Sequence, residues 1–564
     1  MSPGGAVATT DALRVLVHGE LISMDSLFRR ASGQLMHVTS LPPRIAGESH
    51  PDGHPGTDGP WAVGDLGSGD IGPSAYEFVR FLHASKQRWW QILPTGPVGY
   101  GFSPYQSPSS FAGNPLLISP ALLVRDGLLR QEDWDSAIAD IQRDDLQRVN
   151  FEKSSSKRME LLRIAFRRFQ QTRHDLHGAW EHFRHEQGYW LYEHCLFTAC
   201  KAYHQDRAWT EWDPALVRRE HGALQQWHEQ LRTACDFEAF IQFIFERQWQ
   251  ELRRYAAEHG VGIIGDIPIF VSMDSSDVWS GQPLFELDER GQPTVVAGVP
   301  PDYFSATGQR WGNPLYRWDV HRQSGFEWWI KRFRRILQWC DLVRIDHFRG
   351  FESYWEIPSG YPDARIGQWR PGPRHDLFHA ILHAFGKGPG QELPVIAEDL
   401  GFITPEVHQL RDAFGFPGMR IVQFGFGGGV ASSIDLPHNY PVHCIAYTGT
   451  HDNDTVVGWY ESVAGEGSTR SQAEIDAEKQ FAMRYLGCSP EQIHVGMMRA
   501  IWGSVACLAI SPIQDLLGLP ANARMNTPGT STGNWMWRCP TGRLGASVSG
   551  WLGEFTETYG RNSR

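Results

Sequence analysis

Eight short apolar runs recur along the chain, each closing on turn-forming or acidic residues: 34–39, 89–93, 262–271, 341–345, 394–397, 419–424, 444–447 and 506–513. Nearly continuous apolar stretches bounded by turn signals mark strands buried on both faces. Helical periodicity lies between several of them. Phe245, Trp249, Leu252 and Ala256 fall at i, i+4, i+7 and i+11, one face of a helix, and Gly260 supplies a C-terminal stop. Helix followed by strand, with eight strands in all, predicts an α/β protein of the (β/α)8 TIM-barrel class.

The interval 94–261 is too long for one barrel connection. It predicts an inserted, mostly helical subdomain over about 116–235, with Met159, Leu162, Phe166 and Phe169 on one apolar face. Such an insertion either overhangs the active face or buttresses the barrel side. A second stretch, 279–318, is rich in Gly, Pro, Asp and aromatic residues without helical period, and predicts a long active-site loop. Residues 1–32 carry Asp11, Glu20 and Asp25 and lack the features of a signal or transit peptide, so they read as a flexible N-terminal extension. The remainder, 33–564, reads as one catalytic barrel with insertions.

Composition narrows the function. A net charge of −12 argues against nucleic acid or an anionic membrane as partner. The eight cysteines contain no Cys-x-x-Cys pair, which disfavours a zinc site or disulfide framework and fits a cytoplasmic protein. No run reaches the roughly 18 apolar residues of a membrane span. The 23 tryptophans are an excess of large flat apolar faces, suited to sugar rings.

Three strand-like runs deliver acids where a strand gives way to a loop: Arg344-Ile-Asp346-His347, Ala397-Glu398-Asp399 and Thr450-His451-Asp452-Asn-Asp454. That is where a barrel keeps its chemistry. Spacings of about 50 residues, against roughly 30 per strand–helix unit in a barrel of about 250 residues, suit neighbouring or next-but-one strands with enlarged loops. Cleaving a glycosidic bond with retention needs two carboxyl groups about 5 Å apart, one ionised as nucleophile and one protonated as acid. Asp346 and Glu398 are the candidates. Arg344 shares a strand face with Asp346 by the period of two and would keep it ionised, although the two also fit a purely structural ion pair. Asp452 either stabilises charge developing on the sugar or belongs to a polar turn. Asp266 lies inside an apolar run and must have partners, either Arg344 or substrate.

Further stretches accompany these: His37-Val-Thr-Ser-Leu-Pro42, Gln91-Ile-Leu-Pro94, Gly99-Tyr-Gly-Phe-Ser-Pro-Tyr105-Gln-Ser107, Phe111-Ala-Gly-Asn-Pro115, Gly298-Val-Pro-Pro-Asp-Tyr-Phe-Ser305, Gly308-Gln-Arg-Trp-Gly-Asn-Pro314 and Arg524-Met-Asn-Thr-Pro-Gly529. Over residues 33–538 the set resembles the 4-α-glucanotransferases known as amylomaltases or disproportionating enzymes, glycoside hydrolase family 77. The resemblance implies Asp346 as nucleophile, Glu398 as acid/base and Asp452 as transition-state stabiliser. His347 and His451 would bond the sugar at the cleavage point, and Tyr105 would stack on it. Tyr303 and Phe304 would form a loop tip over the acceptor, with Trp311 nearby, and Tyr100 would belong to a separate glucan groove. Implied partners are maltooligosaccharide donors with glucose or a short oligosaccharide as acceptor. No metal spacing is present, and the mechanism requires no cofactor. An amylase-like hydrolase and a non-catalytic glucan-binding protein are the rivals. Departures from the family pattern fall at 45–62, at Phe102 and at 425–433.

Overall fold

The computed structural model describes residues 28–44, 64–139, 141, 146–172, 174–301, 305–387, 392–429, 431–465 and 470–562, with the backbone of 16–17 and 20–21. Most of the extension 1–32, the segment 45–62 and the pair Tyr303 and Phe304 therefore lie outside the described residues.

Eight parallel strands form the barrel: β1 (Ala31–Leu35), β2 (Trp89–Gln91), β3 (Gly262–Pro268), β4 (Leu342–Asp346), β5 (Val395–Ala397), β6 (Gly418–Ile421), β7 (Cys444–Tyr447) and β8 (Leu508–Pro512). They are hydrogen-bonded in the order β5-β4-β3-β2-β1-β8-β7-β6. The remaining seam is closed by single bonds. The Ala397 amide donates to the Pro417 carbonyl at 3.0 Å, and the Met419 amide donates to Asp399 Oδ1 at 2.7 Å. Asp399 is thus a structural carboxylate, also paired with Arg411.

Each apolar run of the sequence overlaps one barrel strand. The first is displaced, because β1 begins at Ala31 and residues 38–40 form a 3-10 turn. The strand's first residues are Ala, Ser and Gly, which carry little apolar signal. At Gly33 smallness is required, since a Cβ there would stand 2.5 Å from the Trp89 carbonyl oxygen. Arg30 anchors the strand entrance by donating to the carbonyls of Trp502 and Tyr559 at 2.8 and 3.2 Å.

The barrel interior is packed. Leu35, Trp89, Ile264, Leu342, Ile396, Met419, Ile445, Tyr447 and Ile510 form one buried cluster, each large apolar side chain worth about 1.5–3 kcal/mol of burial. Because strand side chains alternate, this cluster fixes which way the functional residues point. Ile264 carries Asp266 on its face, Leu342 carries Arg344 and Asp346, and Ile396 carries Glu398. The register pairs Asp266 with Arg344 and Pro268 with Asp346 across β3 and β4.

Between β2 and β3 the chain is largely helical, including Phe151–Thr172, His177–Glu186, Gly188–Tyr203, His221–Gln230 and Arg232–Glu258. Leu162, Phe166 and Phe169 are buried, with Met159 packed at the edge of the same cluster. The last of these helices runs on without a break at 235, buries Phe245, Trp249, Leu252 and Ala256, and hands the chain to β3 through Gly260 at φ 71.

The stretch 279–318, expected as a long irregular loop, is partly a sheet. Val295–Val299 pairs antiparallel with Gln309–Pro314 and with Ser353–Pro358, and Gln368–Pro371 completes four strands. One pairing, Val295–Val299 with Gln309–Pro314, is local to the stretch, whereas the other two strands follow β4 in the chain.

Candidate active site

At the C-terminal mouth of the barrel a cleft of about 1550 Å³ is lined by Tyr105, Trp311, Arg344, Asp346, His347, Glu398, His451 and Asp452 together. Asp266 lies directly beneath it, buried at 1% exposure.

The centre of the floor is a bonded chain of charge. Arg344 donates through Nη1 to Asp266 Oδ2 at 2.7 Å and through Nη2 to Asp346 Oδ1 at 2.9 Å. The Tyr105 hydroxyl donates to the same Asp266 Oδ2 at 2.8 Å. Burial opposes the Arg344 charge, but Asp266 and Asp346 outweigh it and hold the guanidinium well above its ordinary pKa. Burial drives the Asp266 carboxyl up to about 7 against the pull of Arg344. Asp266 is thus bonded to both Arg344 and Tyr105.

Glu398 is organised differently. Its Oε2 accepts the His347 amide at 2.7 Å and its Oε1 accepts the Leu400 amide at 2.8 Å. His347 can aim its amide this way because it sits in the left-handed region at φ 54, an uncommon conformation for a residue with a side chain. Burial raises the Glu398 carboxyl to about 7, with Arg344 pulling it down and Asp346 pushing it up. The site therefore holds one carboxylate tied to a fixed cation and one carboxyl that keeps its proton near neutrality. His347 and His451 are both pushed toward the neutral form by burial, His347 to about 3. A neutral imidazole can both donate to and accept from a sugar hydroxyl.

A family model described as 4-alpha-glucanotransferase matches residues 62–543. The chain belongs to this family. It is 43% identical to the 4-alpha-glucanotransferase of Synechocystis sp. over 95% of this chain and 99% of that protein. With the enzyme of Thermus thermophilus the figures are 45%, 91% and 96%. Among solved structures, the amylomaltase from Streptococcus agalactiae in complex with acarbose matches at 39% identity and a TM-score of 0.84, over 94% of this chain and all of that one. The amylomaltase from Corynebacterium glutamicum, at 17% identity and a TM-score of 0.73 over 96% of this chain and 76% of that one, shares the fold.

In this glucanotransferase-family chain the third acid is held by loops. Asp452 Oδ1 accepts the Asn526 side-chain amide at 2.6 Å, its carbonyl accepts Arg524 at 2.7 Å, and His451 Nε2 lies 3.4 Å from its Oδ2. The Asn526 backbone amide donates to the His451 carbonyl at 3.0 Å. Tyr105 stacks on the His451 ring at 5.1 Å and 17°, and Trp535 packs against both rings. Trp311 meets the edge of His347 at 4.8 Å. Tyr100 stands apart from the cleft, 82% exposed on a 3-10 turn. Phe102, one of the departures, anchors that turn by stacking on Phe151 at 4.6 Å.

The individual site roles read from the sequence omit Asn526, Arg524 and Trp535, which the structure brings to Asp452 and His451. Arg524 and Asn526 lie in a stretch that carried the family resemblance, the one signal that pointed to them. Trp535 follows Thr530-Ser-Thr-Gly-Asn534, a polar turn that gives no hint of an inward-facing ring.

Proposed function

We propose that this protein is a 4-α-glucanotransferase that cuts an α-1,4-glucan by double displacement and passes the held segment to the 4-hydroxyl of glucose or another glucan. The observation that carries this reading is the pairing in one cleft of Asp346, bound to Arg344, with Glu398, whose carboxyl holds its proton to about 7. Family membership supports it.

Arg344 engages Asp346 Oδ1, so Oδ2 is the oxygen that attacks the anomeric carbon. As that C–O bond forms, the glycosidic bond breaks and Glu398 gives its proton to the departing 4-oxygen. The released piece carries the reducing end. Asp452 faces the positive charge that develops on the ring, with Asn526 fixing its orientation. In the second half Glu398, now a carboxylate, takes the proton of the acceptor's 4-hydroxyl, and that oxygen displaces Asp346 from the anomeric carbon. Tyr105 serves as the platform under the cleaved sugar, and His347 and His451 bond its hydroxyls. Tyr303, Phe304 and Trp311 cover the acceptor side, and Tyr100 belongs to a separate surface contact with glucan. Water competes with the acceptor for the covalent intermediate; a bound, oriented sugar wins through its effective concentration. Cytoplasmic maltooligosaccharides are the natural donors.

Maltotriose separates the readings. Longer oligomers together with glucose support transfer, whereas only shorter sugars would identify a hydrolase and an unchanged mixture a binding protein.

A further inference from the structure

The loop that leaves β7 and carries His451 and Asp452 has both of its ends tied to one buried carboxylate outside the cleft. Asp515 lies in the short helix Ile513–Leu516, directly after β8. Its Oδ2 accepts the Thr448 hydroxyl at 2.6 Å, and its Oδ1 accepts the Val456 backbone amide at 2.8 Å. Thr448 is the first residue after β7, and Val456 opens the helix Val456–Glu461. The two bonds therefore close the base of the segment 449–455. Thr448, Val456 and Asp515 are all absent from the lining of the cleft.

The same short helix reaches the second loop that meets Asp452. Gln514 donates to the Ala523 carbonyl at 3.2 Å, next to Arg524, whose guanidinium bonds the Asp452 carbonyl, and close to Asn526, which bonds its side chain. Adjacent residues after β8 thus hold the bases of both loops. Within the first loop Asn453 Oδ1 accepts the Thr450 amide at 2.8 Å, which shapes its turn, and Gln423 braces it laterally by donating to the Asp454 carbonyl at 3.0 Å.

Asp515 is 1% exposed, and among the described residues no cation pairs with it. Burial raises its carboxyl to about 6, while the Thr448 and Val456 bonds pull it down and Asp454 pushes it up. A carboxylate in such a place is costly unless its bonds are made. An ionised carboxylate only accepts, so it draws a hydroxyl and an amide to its two oxygens at once; an apolar side chain would pack there and hold neither stem.

We propose that Asp515 is a positioning residue for the reaction: by gripping both stems of the loop it sets where Asp452 stands against the sugar ring, without touching substrate itself. The inference rests on the reading of Asp452 as the transition-state stabiliser and extends that reading to a group outside the cleft.

Steady-state kinetics on maltotriose test it, with each variant assayed where its urea curve shows it folded. Asp515→Ala removes both bonds. Thr448→Val, nearly isosteric, removes one and decides the matter if Asp515→Ala does not fold. In Asp515→Ala kcat falls about a hundredfold, the scale of a misplacement of roughly 1 Å, and in Thr448→Val about tenfold, the scale of one lost bond to a charged group. KM stays within about twofold in both, because neither side chain contacts the sugar. A loss through instability alone would be independent of Asp452, so both changes are repeated in the Asp452→Asn protein. There each costs less than about threefold, since the group they position has lost its function. A parental kcat in either variant, or full losses in the Asp452→Asn background, overturns the positioning role and leaves the reading of Asp452 standing. An Asp452→Asn protein as fast as the parent overturns both.

Discussion

The two sides of the catalytic cleft are built on different principles. On the β3–β5 side, Asp266, Arg344 and Asp346 project from adjacent strands whose register is fixed by backbone ladders, and their mutual bonds are buried beneath the cleft floor. On the β7–β8 side, Asp452 is 43% exposed and stands beyond its strand, held by Asn526 from a loop 74 residues away. The first side is positioned by the fold itself; the second is positioned by side chains that fold membership alone does not supply. Strand-borne groups should therefore fail through stability or outright loss of chemistry, and loop-borne groups through misorientation at intact stability.

The sharpest break is on the strand side. Asp346→Asn or Glu398→Gln folds normally and loses at least about a thousandfold in transfer rate, because each removes one member of a covalent catalytic pair. Near-wild-type transfer by either variant would remove the role assignment. Arg344→Leu should instead damage the fold, since it strands Asp266 as a buried carboxylate without its cation. Breaking one side of such a pair costs about 3–5 kcal/mol, read as a lower midpoint in urea at unchanged slope. A variant as stable as the parent would show that Tyr105 alone satisfies Asp266.

This division also explains what could be read from the chain. Strands buried on both faces are continuous apolar runs, so all eight barrel strands left a mark in the sequence, and the period of two set Arg344 and Asp346 on one face. β1 was offset because Ala31, Ser32 and Gly33 fit the barrel by being small rather than apolar. The sheet around Val295–Val299 is only half local: Gln309–Pro314 lies in the same stretch, in a run of Gly, Asn and Pro that carries little strand signal, while Ser353–Pro358 and Gln368–Pro371 follow β4. The hold of Asn526 on Asp452 was missed for a related reason: a contact between loops has no periodicity, and a Thr-Pro-Gly stretch reads as a turn whatever its neighbours are.

Asn526→Leu probes the loop side with a nearly isosteric side chain. It removes a 2.6 Å bond to the Asp452 side chain, and a hydrogen bond of this charge-assisted type is worth about 1.5–3 kcal/mol, so kcat should fall about 10- to 100-fold. KM for maltotriose and the urea midpoint should move little, because Arg524 still holds the Asp452 carbonyl. A fall in stability matching the fall in rate would place Asn526 with the structural residues and erase the distinction between the two sides.

The smallest effect is the most diagnostic of the strand side, because it follows from burial rather than from any one contact. Glu398 must be protonated to release the leaving sugar, and its carboxyl is raised to about 7, chiefly by burial. The alkaline limb of kcat/KM should therefore fall about tenfold per pH unit above that value, since each unit removes that share of the protonated form. Stability carries the same signature. A carboxyl whose pKa is raised by folding binds its proton more tightly in the native state, so its contribution is fully present below the ordinary carboxylate value and is lost as pH rises through about 7. Glutamine at 398 has no proton to lose. Glu398→Gln should thus match the parent in urea below the ordinary carboxylate value and exceed it at neutrality, with the gap opening between that value and about 7 and staying constant above, where the alkaline limb of the parent's rate begins. If the two curves ran parallel at every pH, burial would not be what keeps Glu398 protonated, and its assignment as the acid would need another physical basis.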